Sequence, residues 1–129
     1  MTKRFYLATR RDRADEANAI STALNSHGWE RTLTWSNQEG TSPAAHSELA
    51  QAELRAVALA DVLIVMLPGG YGTHVEIGAA LALRKPVILH APDRKTLETP
   101  YPCVFHYHPG ITLLISESLD IKALLACMP

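Results

Sequence analysis

A chain of 129 residues with 12 basic and 13 acidic side chains is one domain's worth of polypeptide, long enough to bury a core without disulfides or a structural metal. The near-zero net charge lacks the basic excess of a nucleic-acid binder, and no apolar run approaches the length of a bilayer span. MTKRFYLATRR begins like a secretory leader, yet its apolar stretch covers only Phe5 to Ala8, and Cys103 and Cys127 are the only cysteines, so a single cytoplasmic domain over residues 1–129 is expected.

In chain order, RFYLA reads as a short strand and the polar TRRDRAD as a loop entering a helix. Ala17, Ile20, Ala23 and Leu24 recur at helical spacing within residues 14–27, and Gly28 stops that helix. WERTLTW alternates as a second strand ending at Trp35, SNQEGTSP is a loop, and residues 44–59 form an alanine- and leucine-rich helix that starts near Pro43. Asp61 precedes VLIVML, a continuous apolar run of the kind buried on both faces of a parallel sheet. PGGYGT is a turn, VEIGAALALRK a third helix and PVILHAP another central strand. VFHYH and ITLLIS are candidate short strands, and residues 119–127 a last helix. Strands alternating with helices imply a doubly wound α/β domain, flavodoxin- or Rossmann-like, with about five mainly parallel strands and helices on both faces. Right-handed crossovers then gather the loops TRRDR, SNQEG and PGGYGT at the carboxyl edge of the sheet.

Glu76 is the one acidic residue between Leu67 and Leu83, in a helix that looks apolar all the way round. An unpaired buried carboxylate is costly, so it needs a partner, a raised pKa or a chemical task. Thr73-His-Val-Glu76 fits a capping box, in which the two side chains serve backbone amides at the helix start. The preceding Gly69-Gly70-Tyr71-Gly72 instead suits close approach of a ligand to a helix N-terminus, at the strand end where open α/β sheets bind ligands. A carboxylate there is placed to act as nucleophile or base. The loop lacks the GxGxxG spacing of a dinucleotide site.

Residues 60–92, ADVLIVMLPGGYGTHVEIGAALALRKPVILHAP, resemble the nucleoside 2-deoxyribosyltransferase superfamily through Asp61, Gly72, Thr73, Glu76, Ile77, Gly78, Ala80, Lys85, Pro86 and Val87. FYLATRRDR is similar to the first strand and sugar- and phosphate-binding loop of the nucleotide-hydrolysing branch. The chain departs from the transferases in having Leu67-Pro68-Gly69-Gly70 where an acidic residue is usual; P-G-G-Y-G-T-x-x-E resembles the Lonely Guy phosphoribohydrolases. Both likenesses imply cleavage or transfer at an N-glycosidic bond of a nucleoside or nucleoside 5′-monophosphate, without cofactor or metal. They imply Glu76 as nucleophile at C1′, with Thr9, Arg10 and Arg11 holding a 5′-phosphate and the Gly70 and Gly72 amides helping. Beside these, Thr73 lies in the motif, Glu53 occupies the place of an acidic residue near the sugar, and Tyr71 is a candidate to stack on the base.

Plainer readings stand beside these. The arginines could be a solvated loop, Glu53 a surface charge and Tyr71 a turn filler, while Asp61 reads as a helix-to-strand turn residue. His106 and His108 would share one face of a strand, but without a third ligand they do not make a metal site. The resemblance implies a homodimer or larger homo-oligomer, with His106, Tyr107 or Tyr101 reaching across the interface. No nucleic acid or membrane partner is expected. The alternatives are an NAD-type glycohydrolase and a non-catalytic nucleotide-binding or sensor module.

Overall fold

The computed structural model describes residues 2–35 and 40–129. Lys3–Ala8 (β1), Trp29–Arg31 (β2), Val62–Met66 (β3), Val87–Ala91 (β4) and Ile111–Ile115 (β5) form a single sheet. Its order is β2-β1-β3-β4-β5, and every neighbouring pair is parallel. Four helices alternate with the strands: Ala14–Asn25 (α1), Pro43–Leu59 (α2), Tyr71–Ala82 (α3) and Ile121–Cys127 (α4).

The period of two along β1 sorts its side chains onto two faces. Phe5 and Leu7 join Ile64, Met66 and Ile88 beneath Ala17 and Leu24 of α1 and Leu124 of α4. Tyr6 and Ala8 join Leu63, Val65 and Leu89 beneath Val57 of α2 and Ile77 and Ala80 of α3. Every residue of β3 and β4 is buried, which accounts for their apolar sequences, interrupted only by His90. Truncating Leu7 or Ile64 to alanine in such a core costs about 2–5 kcal/mol.

Local chemistry sets most element ends. Ser42 accepts a hydrogen bond from the Ala45 amide at 3.1 Å with Pro43 just inside α2, and Asp120 does the same for Ala123 at 3.0 Å in α4. Gly28, at φ +85°, takes the left-handed conformation that closes α1. Asp61 is a turn residue, as its position implies: its carboxylate accepts from the Arg4 amide at 2.8 Å.

Three expectations change. The second strand stops at Arg31 and Trp35 lies in irregular chain, because this edge strand has β1 as its only neighbour and pairs with just three of its residues. VFHYH is not a strand; Val104–Tyr107 forms a single 3-10 turn. Pro102 and Pro109 at its ends have no N–H to give to a ladder, and the segment anchors instead by burying His106. The third helix starts at Tyr71, so half of the expected PGGYGT turn, Tyr71 to Thr73, lies in its first turn. Of the loop SNQEG, residues 36–39 lie outside the described residues. Among the described residues, no helix is long and apolar enough to cross a membrane.

Candidate active site

Strand order reverses between β1 and β3, so the loops leaving their carboxyl ends diverge and open a crevice. A cleft of ≈ 270 Å³ lies there. Thr9, Arg10 and Arg11 border it from the end of β1, and Glu53 from α2. Gly70, Gly72, Thr73 and Glu76 contribute the side formed by α3 and its entry. Every residue nominated from the sequence lines this cleft except Tyr71, which is 98 % exposed and borders a neighbouring apolar hollow with Val75 and Phe105.

Glu76 is 6 % exposed, and its carboxylate accepts a hydrogen bond from the Tyr6 hydroxyl. The capping-box reading of this residue does not hold. Gly70 is the cap, and Thr73, in the third helical position, accepts from the Gly70 amide at 3.2 Å. Glu76 lies almost one turn further along, clear of the backbone amides at the helix start. Burial pushes its carboxyl up to about 7; the Tyr6 hydrogen bond opposes the rise, the Glu53 charge adds to it, and Arg11 offsets it. Burial, and then the neighbouring Glu76 charge, raises the Tyr6 phenol far above its ordinary value. Tyr6 therefore stays protonated and remains a donor at any physiological pH.

The rim is held by polar contacts. The Thr9 hydroxyl donates to the Met66 carbonyl at 2.7 Å, tying the end of β1 to the end of β3. Arg13 donates to the carbonyls of Met66 and Leu67 at 3.1 and 2.7 Å and pairs with Glu16, fixing the chain just before the glycine segment. Arg11 pairs with Glu53 at 3.1 Å and lies 5.6 Å from the centre of the Trp35 ring. Arg10 pairs with Asp12 at 3.1 Å, and its side chain is 45 % exposed.

The match to the family model for nucleoside 2-deoxyribosyltransferase runs over residues 5–120, nearly the whole chain. The chain belongs to the nucleoside 2-deoxyribosyltransferase family. Members of this enzyme family act on nucleosides, and the chain is an enzyme of the nucleoside deoxyribosyltransferase type. No curated protein matches it. Its fold is that of BcmB, a CMP N-glycosidase from Clostridium botulinum, at 24 % identity and TM-score 0.65, covering 96 % of this chain and 95 % of that one. A 2-deoxyribosyltransferase from Bacillus psychrosaccharolyticus shares it at 18 % identity and TM-score 0.62, covering 94 % and 89 % of the two chains. A conserved protein from Enterococcus faecalis V583 does so at 16 % identity and TM-score 0.64, covering 98 % and 97 %.

In this deoxyribosyltransferase-family chain, sequence reasoning missed Tyr6, Trp35 and Arg13. Tyr6 reads as an ordinary core position in a strand, and its partner is 70 residues away. Trp35 carried a usable signal, since it follows a strand toward the edge where the loops gather. The pairing of His106 with His108 also fails: the His108 Nδ1 accepts from the Gly110 amide at 2.9 Å, while His106 is buried against His74. Burial, then the nearby His74, lowers the His106 pKa and keeps its ring neutral.

Proposed function

We propose that the protein cleaves the N-glycosidic bond of a nucleoside 5′-monophosphate or nucleoside through Glu76. The observation that carries this reading is a buried carboxylate, raised to about 7 and held by Tyr6, in the cleft at the strand-order reversal. A carboxylate oxygen of Glu76 attacks C1′ of the sugar; the C1′–N bond breaks, and the base leaves with the electron pair and takes up a proton. Water then attacks C1′ of the glycosyl ester, releases Glu76 and gives its spare proton to solvent; a second base in place of water gives transfer. Tyr6 orients the nucleophile and keeps part of it ionised. Arg10 contributes a charge-assisted contact to a 5′-phosphate, with Thr9 and the amides of Gly70 and Gly72 beside it. Trp35, backed by Arg11, offers a ring for the base.

We place the protein in the cytoplasm as a homodimer. Free Cys103 and Cys127 suit a reducing compartment, and the exposed aromatic rings of Tyr71, Tyr101 and Phe105 suit a second copy. The test is a panel of nucleosides, their 5′-monophosphates and NAD, with free base followed by chromatography and Glu76→Ala as control. Base release from a nucleoside or monophosphate, lost in the variant, supports the reading. Release from NAD alone identifies an NAD glycohydrolase. A ligand-induced rise in Tm without any base release identifies a binding module.

A further inference from the structure

His74, Cys103 and His106 meet on the far side of the glycine segment from Glu76, and the proposed chemistry uses none of them. One ligand atom from each lies within 4.8 Å of the other two. The two Nε2 atoms of the histidines are 2.9 Å apart, with ring centres at 5.1 Å. Ligand atoms around a tetrahedral zinc ion stand about 3.3–3.6 Å from each other, given its usual bond lengths to nitrogen and sulfur. Changes of about half an ångström to just over one ångström in these separations would bring the three into that geometry.

Two further features point to a ligand. The His74 Nδ1 is 2.8 Å from the Gly70 carbonyl, which can only accept, so Nδ1 carries the proton and Nε2 keeps its lone pair. A backbone carbonyl that fixes the tautomer in this way is the usual outer support of a metal-ligating histidine. His106 is 7 % exposed, and its Nδ1 has no partner among the described residues. Its single hydrogen bond to His74 does not account for burying a polar ring. A cavity of ≈ 220 Å³, bordered by all three residues and by Thr96 and Tyr101, supplies an entry path and room for a fourth ligand.

We propose that His74, Cys103 and His106 bind one zinc-type divalent transition-metal ion. Two imidazoles and a thiolate are a set that favours zinc over calcium or magnesium. On binding, the Cys103 thiol gives its proton to solvent and the sulfur forms the metal bond; nothing is oxidised or reduced. The ion takes no part in breaking the glycosidic bond. It clamps residues 103–106 to the first turn of α3 and steadies the Gly70 carbonyl at the cleft's edge.

The test uses tag-free full-length protein, stripped with a chelator and titrated with Co²⁺ and then Zn²⁺. One cobalt per chain should give the strong visible absorption of a tetrahedral site and a near-ultraviolet thiolate charge-transfer band, both abolished by an equivalent of zinc. Zinc should also raise Tm. Cys103→Ser, which changes one atom, should lose the charge-transfer band and bind at least about tenfold more weakly; His74→Ala should bind more weakly by a similar factor. Cys127→Ser should behave as the parent. Circular dichroism establishes that each variant is folded. Absence of saturable binding to the parent at micromolar metal, or undiminished binding to folded Cys103→Ser, would overturn the proposal.

Discussion

Ionising Glu76 puts a charge where 6 % of the residue meets solvent, and the folded protein resists by holding the carboxyl up to about 7, against an ordinary value of 4.5. The sign follows from proton counting. Between those two values the folded state binds more protons than the unfolded chain, so stability falls as pH rises through that window and levels off above it. A shift of this size corresponds to about 3 kcal/mol. Glu76→Gln keeps an oxygen for Tyr6 and cannot ionise, so by urea unfolding it should match the parent near pH 4 and exceed it by up to a few kcal/mol at pH 8. Its base release should fall by orders of magnitude. Equal stabilities at pH 8 would mean that the carboxylate is not desolvated. In the parent, kcat/KM should climb with pH through about 7 and then level. Tyr6→Phe removes the hydrogen bond that opposes the rise in pKa, so this ascending limb should move to higher pH. An unmoved limb with lower kcat would assign Tyr6 a packing role alone. At this scale the sequence exposes the anomaly, a lone acid among apolar residues. Its partner stays hidden, because nothing local marks a strand tyrosine as facing a helix far along the chain.

The elements around the cleft were legible in kind and less so at their ends. Residues 71–73 read as part of a turn because the glycines around them weaken any helical pattern, yet the Gly70 cap and the Thr73 hydroxyl carry the helix back to Tyr71. That shift moves Gly72 inside the helix, where a Cβ would meet no protein atom within 4 Å. Gly72→Ala should therefore leave the fold intact and stabilise it by about 0.5–1 kcal/mol. If substrate occupies the cleft, the same methyl group should raise KM. A Tm scan beside steady-state kinetics separates the two effects, and an unchanged KM would place the substrate elsewhere. In the loop after β1 both arginines are paired, Arg11 with the largely buried Glu53 and Arg10 with the exposed Asp12, and the more solvated pair puts Arg10 first as the phosphate contact. Arg10→Ala should raise KM for a 5′-monophosphate by tenfold or more and leave the matching nucleoside nearly unchanged. Equal effects on both would remove the phosphate site.

At the scale of the molecule, a doubly wound, mainly parallel sheet follows from alternating strands, right-handed crossovers and two largely apolar runs, all of which can be read from the residues, and the structure supplies its order, β2-β1-β3-β4-β5. What the chain leaves uncovered is harder to read. Val104, Phe105 and Tyr107 look like parts of a strand in sequence, but in a 3-10 turn they stand 71, 56 and 58 % exposed, and Tyr101 in the preceding loop is 94 % exposed. Phe105 borders an apolar hollow beside the cleft together with Tyr71 and Val75. A stable interface removes about 800 Å² from each partner. That is close to a tenth of this chain's 7790 Å². Each buried aromatic supplies about 150–250 Å², so four such rings cover most of the requirement. The protein should therefore be a dimer by light scattering at micromolar concentration. Phe105→Asp places a charge on that surface, and Phe105 does not line the cleft, so it should give a folded monomer. If the second copy also closes the cleft against water, base release should fall with the dimer fraction, and diluting the parent should reproduce the loss. A monomeric mass with full activity in the parent would defeat the assembly. A monomeric Phe105→Asp protein with undiminished activity would keep the dimer and remove its part in the site.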